Sequence, residues 1–203
     1  MIVAVGGRPW TGKTTLAKAL AKAMSGVLLD KAALQKVLFP RPAPASPEQN
    51  DRLYEFLLQA AVWHLETTPG DVVVLDGRPL TRIREVLALR RFASGVDQPL
   101  RIIECVCPDE VAVDRARASP TSTEPLAVAN EAPAEPIPDP KIVIDTSLPA
   151  DQCLASALQH LSRAPTGCGT PQTVSPVQAS RSGTRGTSEP LEQLAAKRSR
   201  EVA

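Results

Sequence analysis

Hydrophobic residues fall into short, nearly unbroken runs along this chain, with stretches of helical period between them. Ile2 to Val5, Val27 to Leu29 and Val72 to Leu75 are such runs, as are "LRIIECVC" (100–107) and "KIVIDTS" (141–147). Runs this short without polar alternation read as strands buried on both faces. Lys13 to Met24 repeats Leu16, Ala17, Leu20 and Met24 along one side, the spacing of an amphipathic helix. Further helices are predicted over Lys31 to Phe39, Thr81 to Ala93, Asp109 to Ala118 and Ala150 to about Arg163. Ser46-Pro47-Glu48-Gln49 has the form of a capping box with proline at the first helical position. Its helix is expected to reach Glu66 and to bury Leu53, Phe56, Leu57, Ala60 and Trp63 or His64. Strands alternating with helices predict an α/β fold, a parallel sheet flanked by helices on both faces.

Two segments break the rhythm. Residues 118–140 hold six prolines and four acidic residues without a lysine or arginine, which predicts a mobile or extended loop of lid type. Residues 164–203 carry ten Ser/Thr, four Gly and four Pro, the composition of a mostly disordered tail, with a weak terminal helix over about 190–200. The expected organisation is therefore one domain over 1–163 followed by a tail.

Composition narrows the classes. Hydrophobic residues make up 43% and aromatics 3% of the 203 residues, so aliphatic side chains must fill the core. A net charge of +1 gives no global pull toward nucleic acid or membrane. No apolar run approaches the roughly 20 residues of a membrane helix, and the opening Met1-Ile-Val-Ala-Val lacks a basic leader. The four cysteines fit neither a disulfide framework nor zinc spacing; reduced thiols and a cytoplasmic location are expected.

Chemistry concentrates near the start. Gly7-Arg8-Pro9-Trp10-Thr11-Gly12-Lys13-Thr14 matches G-x-x-x-x-G-K-[ST], the Walker A phosphate loop, with a strand before it and a helix after it. Glycines let backbone N–H groups approach a polyphosphate, and the helix N-terminus adds partial positive charge. Gly7, Arg8, Pro9, Trp10, Thr11, Gly12, Lys13, Thr14 and Thr15 are thus the candidate nucleotide-binding residues. Lys13 is expected to reach the β- and γ-phosphates, and the Thr14 hydroxyl to bind Mg²⁺. Trp10 is expected either to lie on neighbouring protein surface or to wall an acceptor pocket.

Two carboxylates complete this picture. Asp76 directly follows an apolar strand, the Walker B form, and is expected in the Mg²⁺ shell; its alternative is a helix cap. Asp30 follows the second strand and is expected to act as general base in an acceptor cleft, with capping again the alternative. For Asp145, at a third such junction, the cap is preferred. Arg115 and Arg117, late in the helix before the acidic segment, are candidates to neutralise the transferred phosphoryl group. Arg78, Arg82 and Arg84 cluster after Asp76 and are expected either to bind an anionic acceptor or to be solvated surface residues. His64, Cys105 and Cys107 read as structural.

The phosphate loop, "LLDK", "VVVLDGRPLTRIRE", "CPDEVAVDRARAS" and "IVIDTSLPADQCLASAL" fall in an order that resembles the polynucleotide-kinase-like P-loop kinases. That group includes 5′-hydroxyl polynucleotide kinases, zeta-toxin-like kinases, gluconate kinases and chloramphenicol phosphotransferases. The resemblance spans about 1–163. It implies a P-loop NTPase fold with a five-stranded parallel sheet, ATP with Mg²⁺ as phosphoryl donor and a hydroxyl acceptor. It also implies a general base at Asp30 and an ATP-contacting lid arginine at Arg115. The chain departs from the group at Ala33, where an arginine is common, and in a lid without cations. Both departures favour a small-molecule acceptor over a polynucleotide end. A kinase for nucleotides or 5′-hydroxyl ends, and an ATP-binding switch or scaffold without turnover, are the other readings.

Overall fold

The computed structural model describes residues 1–41, 46–119 and 134–163. Five strands form one parallel sheet: β1 (Ile2–Gly6), β2 (Val27–Asp30), β3 (Val73–Asp76), β4 (Leu100–Val106) and β5 (Ile142–Asp145). Their spatial order is β2-β3-β1-β4-β5. The helices are α1 (Lys13–Ala23), α2 (Lys31–Leu38), α3 (Pro47–Thr67), α4 (Ile83–Gly95), α5 (Asp109–Ala118) and α6 (Ala150–Ser162). Among the described residues no helix is long and apolar enough to cross a membrane.

The sheet's alternation divides the core in two. Val3 and Val5 of β1 point to one face, where Leu16, Ala17 and Leu20 of α1 meet Ala157 and Leu161 of α6. Ile2 and Ala4 point to the other, against Ala61 and Leu65 of α3 and Val86, Leu89 and Ala93 of α4. Every residue of central β1 is buried, whereas all four residues of edge strand β2 are only half-buried. The expected two-sided α/β fold is the one observed.

The helix over α3 starts as the capping box predicts: the Ser46 hydroxyl accepts from Gln49 N at 3.1 Å. Its buried face differs from the expectation. Leu53, Tyr54, Leu57, Ala61 and Leu65 face the core, while Phe56 and Trp63 are 55% and 72% exposed. Two apolar stripes overlap on this helix, and only the docking of α3 against β2 and β3 selects between them.

The proline-rich segment also divides. Residues 120–133 lie outside the described residues, as do 42–45 and the expected tail, 164–203. Residues 134–140 are extended and fastened. Ile137 is buried, Glu135 N donates to Thr81 O at 2.9 Å, and the Glu135 carboxylate accepts from Ile83 N at 2.6 Å at the start of α4. Arg90 Nη2 donates to Pro138 O at 2.7 Å.

Candidate functional site

The loop after β1 turns on two glycines. Gly7 has φ 133°, and a Cβ there would meet Cys105 O at 2.3 Å. Gly12, at φ 78°, sits at the N-cap of α1 and supplies no side chain to cap it. The first-turn amides of α1, which have no partners within the helix, therefore stand open to a ligand. The loop around them is braced from inside. Buried Thr11 donates its hydroxyl to Arg8 O at 2.8 Å, and Thr146 Oγ1 donates to Thr11 O at 2.8 Å. Arg8 pairs with Asp109 at the start of α5. Trp10 takes φ 64°, the left-handed region that favours glycine, so the crown of the loop is strained.

Lys13, the first residue of α1, folds its ammonium back onto Arg8 O at 2.6 Å, inside the cup that the loop makes. Burial holds it below the ordinary lysine pKa, and the nearby Asp76 opposes that shift. Asp76 closes β3 next to β1 and is 5% exposed. Burial raises its pKa, while a hydrogen bond from the Thr14 hydroxyl pulls the other way and the neighbouring Asp30 raises it further. Threonine oxygen beside carboxylate oxygen is the hard donor set that suits Mg²⁺. No helix begins at Asp76, so the capping alternative is not realised there.

Asp30 pairs with Asp76 across the β2–β3 register. It does cap: Oδ1 accepts from Ala32 N at 2.8 Å and from Ala33 N at 3.2 Å at the start of α2. One oxygen serves both bonds, which orients the carboxylate and leaves Oδ2 for another partner.

Across the loop, α5 delivers Arg115. Its guanidinium donates to Thr146 O at 2.5 Å and reaches Trp10 O at 3.5 Å. A Cβ built on Gly12 would lie 3.5 Å from Arg115 Nη1. Arg115, Trp10, Gly12, Lys13, Thr14 and Thr15 line a cleft of about 550 Å³, closed by Thr146, Leu148, Ala150 and Cys153 from the β5–α6 side. Trp10 thus walls this cleft rather than one beside Asp30. Arg117, two residues on, is not brought in; it faces outward beside Asp114, 3.7 Å away.

The remaining sequence candidates lie outside this cleft. Arg78 stacks 4.6 Å from the Tyr54 ring centroid and pairs with Asp51 at 2.5 Å and Glu85 at 3.5 Å. Arg84 is exposed on α4 and Arg82 stands at that helix's N-cap. His64 bonds Asp71 at 3.0 Å. Burial pushes the Cys105 thiol up to about 12, and Cys105, Cys107 and Cys153 are free. Asp145 does not cap α6, which starts after Pro149; it accepts from the amide and hydroxyl of Ser147 instead, in a tight turn.

Two residues in this region have no role in the sequence reading, although they fall within the stretches quoted there. Thr146 ties β5 to the phosphate loop and to Arg115, and its single hydroxyl proton is shared between Thr11 O and Val106 O, the latter at 3.0 Å. Lys31, beside Asp30, donates to Asn50 Oδ1 at 2.8 Å. The rule that sites gather at the carboxyl ends of parallel strands was the available signal for both.

Comparison with solved structures returns the same fold. Mycobacterium tuberculosis APS kinase, in complex with AMPPNP and APS, matches with a TM-score of 0.64 at 15% identity, covering 80% of this chain and 97% of that one. A sugar kinase from Janibacter sp. HTCC2649 matches at 0.53 and 20% identity, covering 81% and 95%. A gluconokinase from Sinorhizobium meliloti 1021 matches at 0.50 and 18% identity, covering 79% and 90%. No curated protein sequence matches the chain. The family model AAA_33, described as an AAA domain, matches residues 2–135, a span that runs from β1 through the phosphate loop, both aspartates and Arg115. This chain, with its P-loop NTPase fold, belongs to that family of AAA domains.

Proposed function

We propose that the protein is a kinase that moves the γ-phosphate of ATP to a hydroxyl group of a small molecule. The observation that carries this reading is the meeting of Lys13, the bare N-terminus of α1 and the Thr14–Asp76 pair around one loop. Those groups suit a triphosphate and its metal, and little else. The three structural neighbours above are each named as kinases, which supports the coarse reading and leaves the acceptor open.

Each residue has a separate task. The α1 amides and Lys13 hold the phosphate chain and offset its charge. The cleft between Trp10, Leu148 and Ala150 receives the rest of the nucleotide. Thr14 and Asp76 would hold Mg²⁺, which when bound polarises the phosphoryl oxygens. Arg115, fixed by Thr146, lies where it can neutralise charge on the transferred group. Asp30 stands one strand away, held by two amides, where Oδ2 can orient an acceptor hydroxyl and take its proton. Arg117 has no part in this scheme.

The test is calorimetry with Mg·ATP followed by an ATP-consumption screen over sugars, nucleosides, aminoglycosides and 5′-hydroxyl oligonucleotides. Heat on nucleotide addition and turnover with a small hydroxyl compound are expected. Turnover only with oligonucleotides would move the acceptor to nucleic acid. Binding without turnover on any hydroxyl compound would leave a nucleotide-binding switch.

A further inference from the structure

We propose that Glu135 is a positioning residue for the phosphate loop: through the turn after β3 it fixes the first glycine of the loop and so raises affinity for the nucleotide. The proposal rests on the nucleotide-binding role given to that loop above, and adds to it a residue from a distant part of the chain.

The segment 134–140 is itself firmly held. Ile137 is 4% exposed and belongs to the same core cluster as Leu80, Val86 and Leu89. Arg90 Nη2 donates to Pro138 O at 2.7 Å and to Pro140 O at 3.3 Å. From this anchor Glu135 grips the start of α4 at two points. Its N–H donates to Thr81 O at 2.9 Å, and its carboxylate accepts from Ile83 N at 2.6 Å. Ile83 is the first residue of α4, and Arg82 at the N-cap makes no side-chain capping bond. A first-turn amide has no partner within its helix, and negative charge is favoured at a helix N-terminus. Glu135 thus supplies the cap that the helix lacks locally.

The other end of the same turn meets the phosphate loop. Gly7 N, at the loop's first residue, donates to Pro79 O at 2.7 Å. A Cβ on Gly6 would lie 2.9 Å from Pro79 O and 3.0 Å from the Leu80 side chain, so the turn packs against the point where β1 becomes the loop. Leu80, 1% exposed, takes φ 58°, a conformation that leucine keeps only where its surroundings impose it. Among the described residues, the backbone–backbone hydrogen bonds of 79–82 outside α4 go to Gly7 and to Glu135. Elsewhere the loop and the segment 134–137 face each other across a cavity of about 220 Å³. The turn is therefore the short bridge between them. Glu135 sets Thr81 and Ile83, these hold strained Leu80, and Pro79 O holds Gly7. Gly7 is confined on its far side by Cys105 O, so a shift of Pro79 is passed on to the loop rather than absorbed.

The test uses the full chain. A non-hydrolysable ATP analogue with Mg²⁺ is titrated by calorimetry, and amide hydrogen exchange over residues 2–10 is followed by mass spectrometry without ligand. Glu135→Ala should weaken binding of the analogue about threefold to tenfold, the loss of a helix cap read as affinity, and should speed exchange in 2–10. Glu135→Gln, whose amide oxygen can still accept from Ile83 N, should bring both readouts back to within about twofold of the unsubstituted chain. Ser46→Ala removes a cap of the same kind from α3, away from the phosphate loop. It should lower the melting temperature and leave affinity and exchange in 2–10 unmoved. Unchanged affinity and exchange in Glu135→Ala overturn the proposal. A glutamine variant no better than the alanine variant also overturns it, because the bond to Ile83 N is then not what matters. So does an equal loss in Ser46→Ala, which makes the effect one of general stability. An unsubstituted chain that binds no nucleotide overturns the kinase reading instead, and exchange in 2–10 then still decides whether Glu135 holds the loop.

Discussion

Asp76 and Asp30 stand opposite each other at the ends of adjacent strands, yet the two sides of the site hold them by different means. Asp76 lies between two neighbouring strands, almost without solvent, and burial is the largest influence on its proton. Around it the phosphate loop is tied to β4, β5 and α5 through Thr11, Thr146 and Arg115. Asp30 ends an edge strand and caps α2, a helix with no buried residue. Two local amides orient it, and α3 encloses it loosely. On the kinase reading proposed above, the difference separates two demands. A polyphosphate of fixed shape suits a cup braced from several strands, while an acceptor has to enter and leave and suits a more open wall.

The comparison is sharpened first at Lys13. Lys13→Ala should lower phosphoryl transfer at least about a hundredfold in a coupled ATP-consumption assay, with the melting temperature kept. Asp30→Asn comes next: a loss in kcat of about a hundredfold or more, nucleotide affinity retained by calorimetry, and an unchanged melt because asparagine also caps. Equal loss of binding and turnover would reduce Asp30 to its capping role. Thr146→Val keeps the shape but removes the hydroxyl from Thr11 O and Val106 O. It should cost about 1–3 kcal/mol in urea unfolding and weaken nucleotide binding.

Asp76→Asn should act in the other direction on the ligand-free fold. The native pKa of Asp76 is raised, so ionising it costs native stability: the penalty grows as pH climbs from 3.8 to the raised native value, and is full above it. Asparagine removes that penalty and can still accept from Thr14. A gain of up to about 1 kcal/mol near neutral pH, vanishing at acid pH, is expected in paired melts, along with loss of Mg²⁺-dependent activity. The smallest effect belongs to the open side. Trp63→Ala, at a position 72% exposed, should change stability by no more than about 0.5 kcal/mol.

Much of this arrangement is legible in the sequence. The glycine spacing around Lys13 has one main physical use, and aspartates ending apolar strands belong at the sheet's working edge. The sequence misled where one dimension underdetermines three. Phe56 and Trp63 share helical spacing with the true core residues of α3, so periodicity alone picks either stripe. Arg115 and Arg117 are two residues apart on α5 and read alike, yet one turns to the loop and the other to solvent. Arg78 is a candidate anion ligand in the sequence because Asp51, Glu85 and Tyr54, which occupy it, lie on other elements.

Local rules therefore settled the elements of this chain: apolar runs for strands, a capping box at Ser46, and glycines where the phosphate loop needs positive φ. They act over a few residues and leave a direct trace in the order of amino acids. Only the tertiary structure decided that β3 lies between β1 and β2, which sets Asp76 beside Asp30, and that Thr146 closes the loop from 135 residues away. It likewise decided which charges cancel. Pairing across the sheet depends on strand order and helix docking, which no short stretch of sequence encodes.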